Sequence, residues 1–145
     1  MIGHELREFV DRVMDHRAID AEDVRMLRDE ILVDEVMTRD AIDVLIALDR
    51  ALPNISAAFS EYLVALAVDF AVWESRPTGM VDREKAHWLV TTLSAGEGPT
   101  PTAQRIAFET VREAQSCDEA LVGFALRKGA GKAIATSAHR LLLAS

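Results

Sequence analysis

A nine-residue pattern that occurs twice, 62 residues apart, constrains the fold of this chain more than any other feature. The first copy spans 19–27 and the second spans 81–89. Each copy has an apolar residue, then Asp, any residue and Glu, followed by apolar residues at helical spacing. Asp20 and Asp82 can cap the free N–H groups of a helix, and the glutamate favours the positive end of its dipole. The repeat predicts two similarly built helical halves.

Apolar residues recur at helical spacing along nearly the whole chain, and short segments separate these stretches. Thr38, Thr102 and Ser116 each stand before a periodic stretch and are predicted to cap a helix. The segment 56–74 is apolar on nearly every side, which is typical of a helix at the centre of a domain. No segment shows the two-residue alternation of a strand. We therefore predict an all-α fold of six to seven helices in a compact bundle, with two pseudo-repeated halves around 56–74.

The charge is unevenly distributed along the chain. The net charge of −8 argues against a nucleic-acid partner, because phosphate binding needs a basic surface. Residues 1–50 carry 14 acidic and 7 basic groups, whereas the residues from 127 onward carry four basic groups and no acidic one. This distribution is typical of an ordinary solvated surface. Alternatively, it indicates that the acidic half binds a basic partner or attracts the basic tail of the same chain.

The expected organisation is a single helical domain over 1–132 and a C-terminal tail over 133–145, helical or partly disordered. The leucines at 141–143 would form an exposed apolar patch unless they pack on the body or on a second subunit. A protein partner or a homo-oligomer is therefore expected. The longest apolar region is broken by Asp69 and is too short for a transmembrane segment, and no secretory signal is recognisable. We expect a bacterial cytoplasmic location.

Two patterns suggest a divalent metal. The turn between the second and third helices fails the EF-hand spacing but leaves a looser cation site that would use Asp34, Glu35 and Asp40. The alternative for this turn is a polar connection between helices. Glu84 and His87 are spaced to lie on one helical face, although metal-binding bundles need a second such motif and the sequence has none. Their alternative roles are a first-turn glutamate and a surface histidine.

Asp69 is the most unusual single residue, because it lies in the segment expected to be central. A lone buried carboxylate there would need a hydrogen bond or a cationic partner. We predict either a structural carboxylate, at the helix edge or paired with an arginine, or a perturbed acid in a pocket walled by Tyr62, Trp73 and Trp88.

Nucleophilic chemistry finds little support in the sequence. Cys117 is the only cysteine, so no internal disulfide can form. It is predicted to lie at a helix start, where a thiolate would be favoured, but no residue type that would activate it stands nearby in sequence. The segment 129–132 lacks the spacing of a phosphate-binding loop. No catalytic residue is assigned and no organic cofactor is expected.

The order of capping Asp, Glu, aliphatic helix, short acidic turn and second capped helix resembles the TerB-like domains, small helical bacterial domains associated with tellurite resistance. The resemblance covers roughly residues 19–115. In that family an Asp-Gly turn precedes a helix with an acidic start. Here the corresponding segment 34–40 has Glu35 in place of the glycine, and the second segment, 95–98, lacks the aspartate. The resemblance implies an all-helical fold, a metal-binding role and a place in stress-linked, membrane-associated or signalling complexes.

These observations favour a non-enzymatic binding or interaction module. The alternative is a metal-binding helical protein, TerB-like or a metalloenzyme, that holds its metal with acidic residues and His87.

Overall fold

The computed structural model describes residues 2–33 and 36–126, and these residues form an all-α fold, as predicted. Seven α-helices lie in this described part of the chain. They are α1 (His4–His16), α2 (Ala21–Met26), α3 (Arg39–Ala51), α4 (Ala57–Asp69), α5 (Arg83–Ser94), α6 (Pro101–Glu113) and α7 (Glu119–Leu126). Helices α2 and α4 each continue into one π-helical turn, Leu27–Ile31 and Phe70–Glu74. None of the described helices combines the length and the apolar character that a bilayer span requires.

The chain divides into two compact units, Met1–Leu63 and Val64–Ser145. In the first unit α1 buries Leu6, Phe9 and Val13, which recur at helical spacing, whereas Met14 is 46% exposed. Its most buried apolar side chains are Leu6, Phe9, Val13, Ile19, Leu27, Ile42, Leu45, Ile46, Phe59 and Leu63. Those of the second unit are Ala67, Ala71, Val72, Val81, Ala86, Leu89, Leu93, Ile106, Ala107 and Leu121. The predicted boundary at 132 and the apolar tail beyond it lie outside the described residues.

Each unit contains one pair of two-residue parallel strands, which the sequence did not predict. In the first unit β1 (Ala18–Ile19) pairs with β2 (Asn54–Ile55). In the second unit β3 (Met80–Val81) pairs with β4 (Ser116–Cys117). Two residues are too few to display an alternating pattern, which is why the periodicity gave no strand signal. Each strand leads into a helix, so the starts of α2 and α4 lie side by side, and so do those of α5 and α7.

Short polar side chains cap the helices. Asp20 accepts a hydrogen bond from the Asp23 N–H and forms a capping box with it, and Asp82 accepts one from the Lys85 N–H. The pKa of Asp20 is lowered, chiefly because the Asp23 backbone N–H stabilises the ionised carboxylate. Thr38 caps α3 through the Ala41 N–H, as predicted.

Two predicted caps are wrong. Thr102 is buried inside α6, and the cap is Thr100, which accepts from the Ala103 N–H at 3.0 Å. The physical reason is Pro101, whose fixed φ suits the first helical position directly after the cap. Ser116 belongs to β4 instead, and Asp118 Oδ2 takes the Ala120 N–H at the start of α7. The caps at 20 and 82, and those at 38 and 100, are 62 residues apart; the full equivalence of the two halves stays a prediction.

Candidate functional site

An open groove in the first unit lies between α1 and the α2 helix with its π-helical turn. It encloses about 510 Å³. Apolar side chains of both helices form its floor, and carboxylates of both helices form its rim. The lining residues are Glu5, Glu8, Phe9, Arg12, Met26, Glu30 and Ile31, and we call this feature the acidic groove.

Arg12 holds the floor of the acidic groove together. Its guanidinium lies 5.4 Å from the centre of the Phe9 ring, within the range of a cation–π contact. The same group donates to Met26 Sδ at 3.2 Å and to Asp23 Oδ1 at 3.4 Å. Arg12 therefore connects α1 to α2, and its charge is directed at Asp23. The charged groups at the rim of the groove are the glutamates.

The rim is acidic because α1 and the π-helical turn both direct glutamates outward. Glu5, Glu8 and Glu30 are all exposed. Glu8 contacts His4 at 2.7 Å, and Glu30 lies 3.8 Å from Arg25, but both contacts are at the surface and contribute little to stability. Within the groove lining, three carboxylates face one guanidinium that already has an acidic partner. The groove thus presents net negative charge over an apolar floor.

The second unit has an aromatic pair at the positions that the predicted repeat relates to two groove residues. The positions 62 residues after Glu8 and Met26 are Phe70 and Trp88. There the two rings pack edge to face, with centroids 5.9 Å apart and planes at 76°. In the predicted repeat, Glu8 and Met26 stand at the positions of this aromatic pair.

The predicted metal ligands are not brought together in the described residues. Asp34 and Glu35 lie outside them, and Asp40 is exposed in the first turn of α3. Glu84 and His87 are both exposed on α5. Within residues 2–33 and 36–126 no group of three or more His, Cys, Asp or Glu side chains is arranged to hold a metal ion. The metal site stays a prediction, and its test is experimental.

The four predicted pocket residues differ in exposure and in contacts. Asp69 is exposed, as in the helix-edge alternative, and Trp73 is 41% exposed with its Nε1–H donating to Glu113 Oε1 at 3.0 Å. Trp88 packs on Phe70, as described above. Burial raises the pKa of Tyr62. A hydrogen bond with Asp69, together with desolvation and repulsion, raises the pKa of Glu74.

Cys117 is not an activated nucleophile. It lies in β4 and not in a helix, and burial followed by the charge of Asp118 raises its pKa to about 11. At neutral pH the thiol therefore stays protonated, and a thiolate mechanism has no support.

Lys85 is the residue that sequence reasoning missed. Its side chain is 0% exposed, and Nζ donates to the carbonyl oxygens of Ala71 at 2.5 Å, Pro77 at 2.7 Å and Met80 at 2.8 Å. One ammonium thus joins the π-helical turn, the following loop and β3. The only local signal was a lysine three residues after a capping aspartate, where a capping box would have Glu or Gln.

Comparison with known proteins gives no further identification: no protein-family model, no curated protein and no solved structure matches this chain.

Proposed function

We propose that the chain is a non-enzymatic interaction module whose acidic groove binds a basic, amphipathic segment of a protein partner. The observation that carries the proposal is the pairing of an apolar floor with an acidic rim in one open groove of about 510 Å³. Apolar side chains of the partner would contact Met26 and Ile31, below which the buried Phe9 lies. Its lysines or arginines would meet the rim glutamates. This is the arrangement by which amphipathic helices are recognised in grooves.

Charge complementarity selects the sign of the partner. The net charge of the whole chain is −8, and residues 1–50 contribute most of it, with 14 acidic against 7 basic groups. The groove lies within that part of the chain. A basic segment is therefore attracted before contact and stabilised after it, whereas an acidic segment is repelled.

The test is fluorescence anisotropy with a labelled, short helical peptide built from leucine and lysine, against a matched peptide built from leucine and glutamate. We expect binding of the basic peptide only, weakening as salt is added. The double substitution Glu8→Gln/Glu30→Gln should weaken binding about tenfold, because two charge contacts are lost. Ile31→Ala should weaken it through lost apolar contact.

The matched control is Glu97→Gln/Glu119→Gln, which removes the same charge from exposed positions outside the groove. Its affinity should equal that of the unmodified chain. If both double variants lose affinity equally, the binding is a general charge effect and the groove is not the site. Equal binding of the acidic peptide would also refute the proposal.

The second candidate function, which we also propose to test, is binding of a divalent metal as the TerB-like resemblance implies. A native mass spectrum of protein purified without chelator tests it directly. One tightly held metal per chain that is lost in Asp34→Asn or His87→Ala would support it, and a metal-free chain would refute it.

A further inference from the structure

A second pocket lies in the second unit, between α5 and α7, and the proposed peptide groove does not use it. It encloses about 350 Å³, at the lower end of the range of roughly 300–1,000 Å³ that small-molecule sites occupy. Three residues of α5 and two of α7 face each other across it, and the residue just before α7 completes the lining. The lining residues are Arg83, His87, Val90, Asp118, Ala120 and Phe124, and we call it the Arg83 pocket.

The α5 side of the Arg83 pocket is cationic and hydrogen-bonding. Arg83, His87 and Val90 follow the i, i+4, i+7 spacing of one helical face, so their side chains line one wall. Arg83 and His87 are exposed, and among the residues that the structure describes neither has a hydrogen bond or an ion pair. A guanidinium offers a planar pair of N–H donors that matches a carboxylate. This wall is therefore open to an anionic group.

The α7 side supplies an acceptor whose position is fixed. The Asp118 N–H donates to the Val81 carbonyl at 2.8 Å, which continues the β3–β4 pairing. Its Oδ2 accepts the Ala120 N–H at 3.0 Å, so the carboxylate is held against the start of α7. Asp118 and Arg83 line the same pocket without forming an ion pair. A ligand can therefore meet a cation on one side and an acceptor on the other.

The remaining lining is apolar. Phe124 is 9% exposed and Val90 is half-buried, and together they provide a hydrophobic surface between the two polar walls. Ala120, with its single methyl group, leaves the space open. A ligand that uses all three features needs a carboxylate, a hydrogen-bond donor and an apolar body.

We propose that the Arg83 pocket binds a small organic carboxylate that carries a hydrogen-bond donor and an apolar body, the chemistry of an α-amino or α-hydroxy acid. The carboxylate meets Arg83 and His87, the donor meets Asp118, and the apolar body lies on Val90 and Phe124. This site is independent of the acidic groove, which belongs to the other unit.

The test is a titration of the full chain, followed by amide NMR shifts, with three probes that differ by one group. They are 3-phenyllactate, 3-phenylpropionate without the hydroxyl donor, and 2-phenylethanol without the carboxylate. We expect 3-phenyllactate to shift the amides around the pocket with a Kd of about 1 mM or lower. The second probe should bind more weakly, and the third should not bind.

Variants separate the pocket from general charge effects. Arg83→Gln should weaken 3-phenyllactate about tenfold or more, because charge-assisted hydrogen bonds are lost. Asp118→Asn retains a capping side chain and should abolish the preference for 3-phenyllactate over 3-phenylpropionate. Ala120→Leu, which fills the pocket from an exposed position, should abolish binding of every probe.

The matched control is Arg76→Gln, which removes one exposed guanidinium outside the pocket and should leave the affinity unchanged. Three results would overturn the proposal. The first is the absence of amide shifts around the pocket at up to about 10 mM 3-phenyllactate, a concentration at which even a site with a millimolar Kd is mostly occupied. The others are an equal loss of affinity in Arg76→Gln and Arg83→Gln, and binding of 2-phenylethanol as tight as that of 3-phenyllactate.

Discussion

Replacing the buried Lys85 with methionine tests the physical account of the second unit most directly. Methionine keeps most of the length of the side chain but has no donor, so three backbone carbonyls lose the ammonium that bonds them. The Ala71 carbonyl contact is buried, whereas those of Pro77 and Met80 are only part-buried and can recruit water. The three losses are therefore unequal.

The magnitude follows from that difference. An unsatisfied buried acceptor costs about 1–3 kcal/mol, and each part-buried bond contributes about 0.5–1.5 kcal/mol. Removing the ammonium also removes the penalty of burying its charge, which offsets part of the loss. We expect a net destabilisation of about 3 kcal/mol.

Urea unfolding followed by far-UV circular dichroism measures this change. With a slope of about 1.5 kcal/mol/M for a chain of this size, the midpoint should fall by about 2 M. The control is Arg7→Met, which removes an exposed charge on α1 and should change stability by less than about 0.5 kcal/mol. A midpoint for Lys85→Met within the error of that control would show that the three carbonyls do not need the ammonium, and the reasoning would be refuted.

Four further predictions test other features. Gly79 has a φ of +80°, and an added Cβ would lie 3.0 Å from Gln115 Oε1, so Gly79→Ala should destabilise the chain by about 1–2 kcal/mol. Arg17 holds a φ of 60° at the end of α1, so Arg17→Gly should stabilise the chain by about 0.5 kcal/mol. A higher urea midpoint for Gly79→Ala would contradict the first of these predictions, and a lower one for Arg17→Gly would contradict the second. Burial raises the pKa of Cys117 to about 11, so Cys117 should react with iodoacetamide at pH 8 about a hundredfold more slowly than free cysteine. A rate equal to that of free cysteine would contradict the burial of the Cys117 thiol. The raised pKa of Glu74 favours its protonated form in the fold, so its stabilising contribution is present at acidic pH and is lost as the pH rises through the raised pKa. Asp69→Asn should therefore raise the urea midpoint at pH 7 more than at pH 4, and a pH-independent effect would argue against the carboxyl pair.

The features that sequence predicts well here are local ones. Asp20, Asp82 and Thr38 cap helices because a short polar side chain needs only the next few backbone N–H groups. The α1 face that buries Leu6, Phe9 and Val13 follows from helical spacing alone. The Thr100 cap was missed although its signal, the following proline, was present in the sequence.

The features that sequence did not predict depend on what distant segments bring together. Lys85 is buried because a loop and a π-helical turn place three carbonyls around it, and no pattern around position 85 reveals them. The acidic groove requires α1 to lie beside α2, and its glutamates alone read as ordinary surface residues. For Asp69 the sequence left several alternatives open, and only the fold shows that the residue is exposed.

The parallel strand pairs have a consequence for how the chain tolerates change. Each pair joins residues 36 positions apart, Ala18 with Asn54 and Met80 with Ser116. The segment between the two strands of a pair therefore begins and ends at the same place in the fold. Lengthening a connection within this segment adds only a slowly growing entropic cost of loop closure. Insertions between α5 and α6, at the turn containing Gly96 and Gly98, should therefore have only local effects and leave β3 paired with β4.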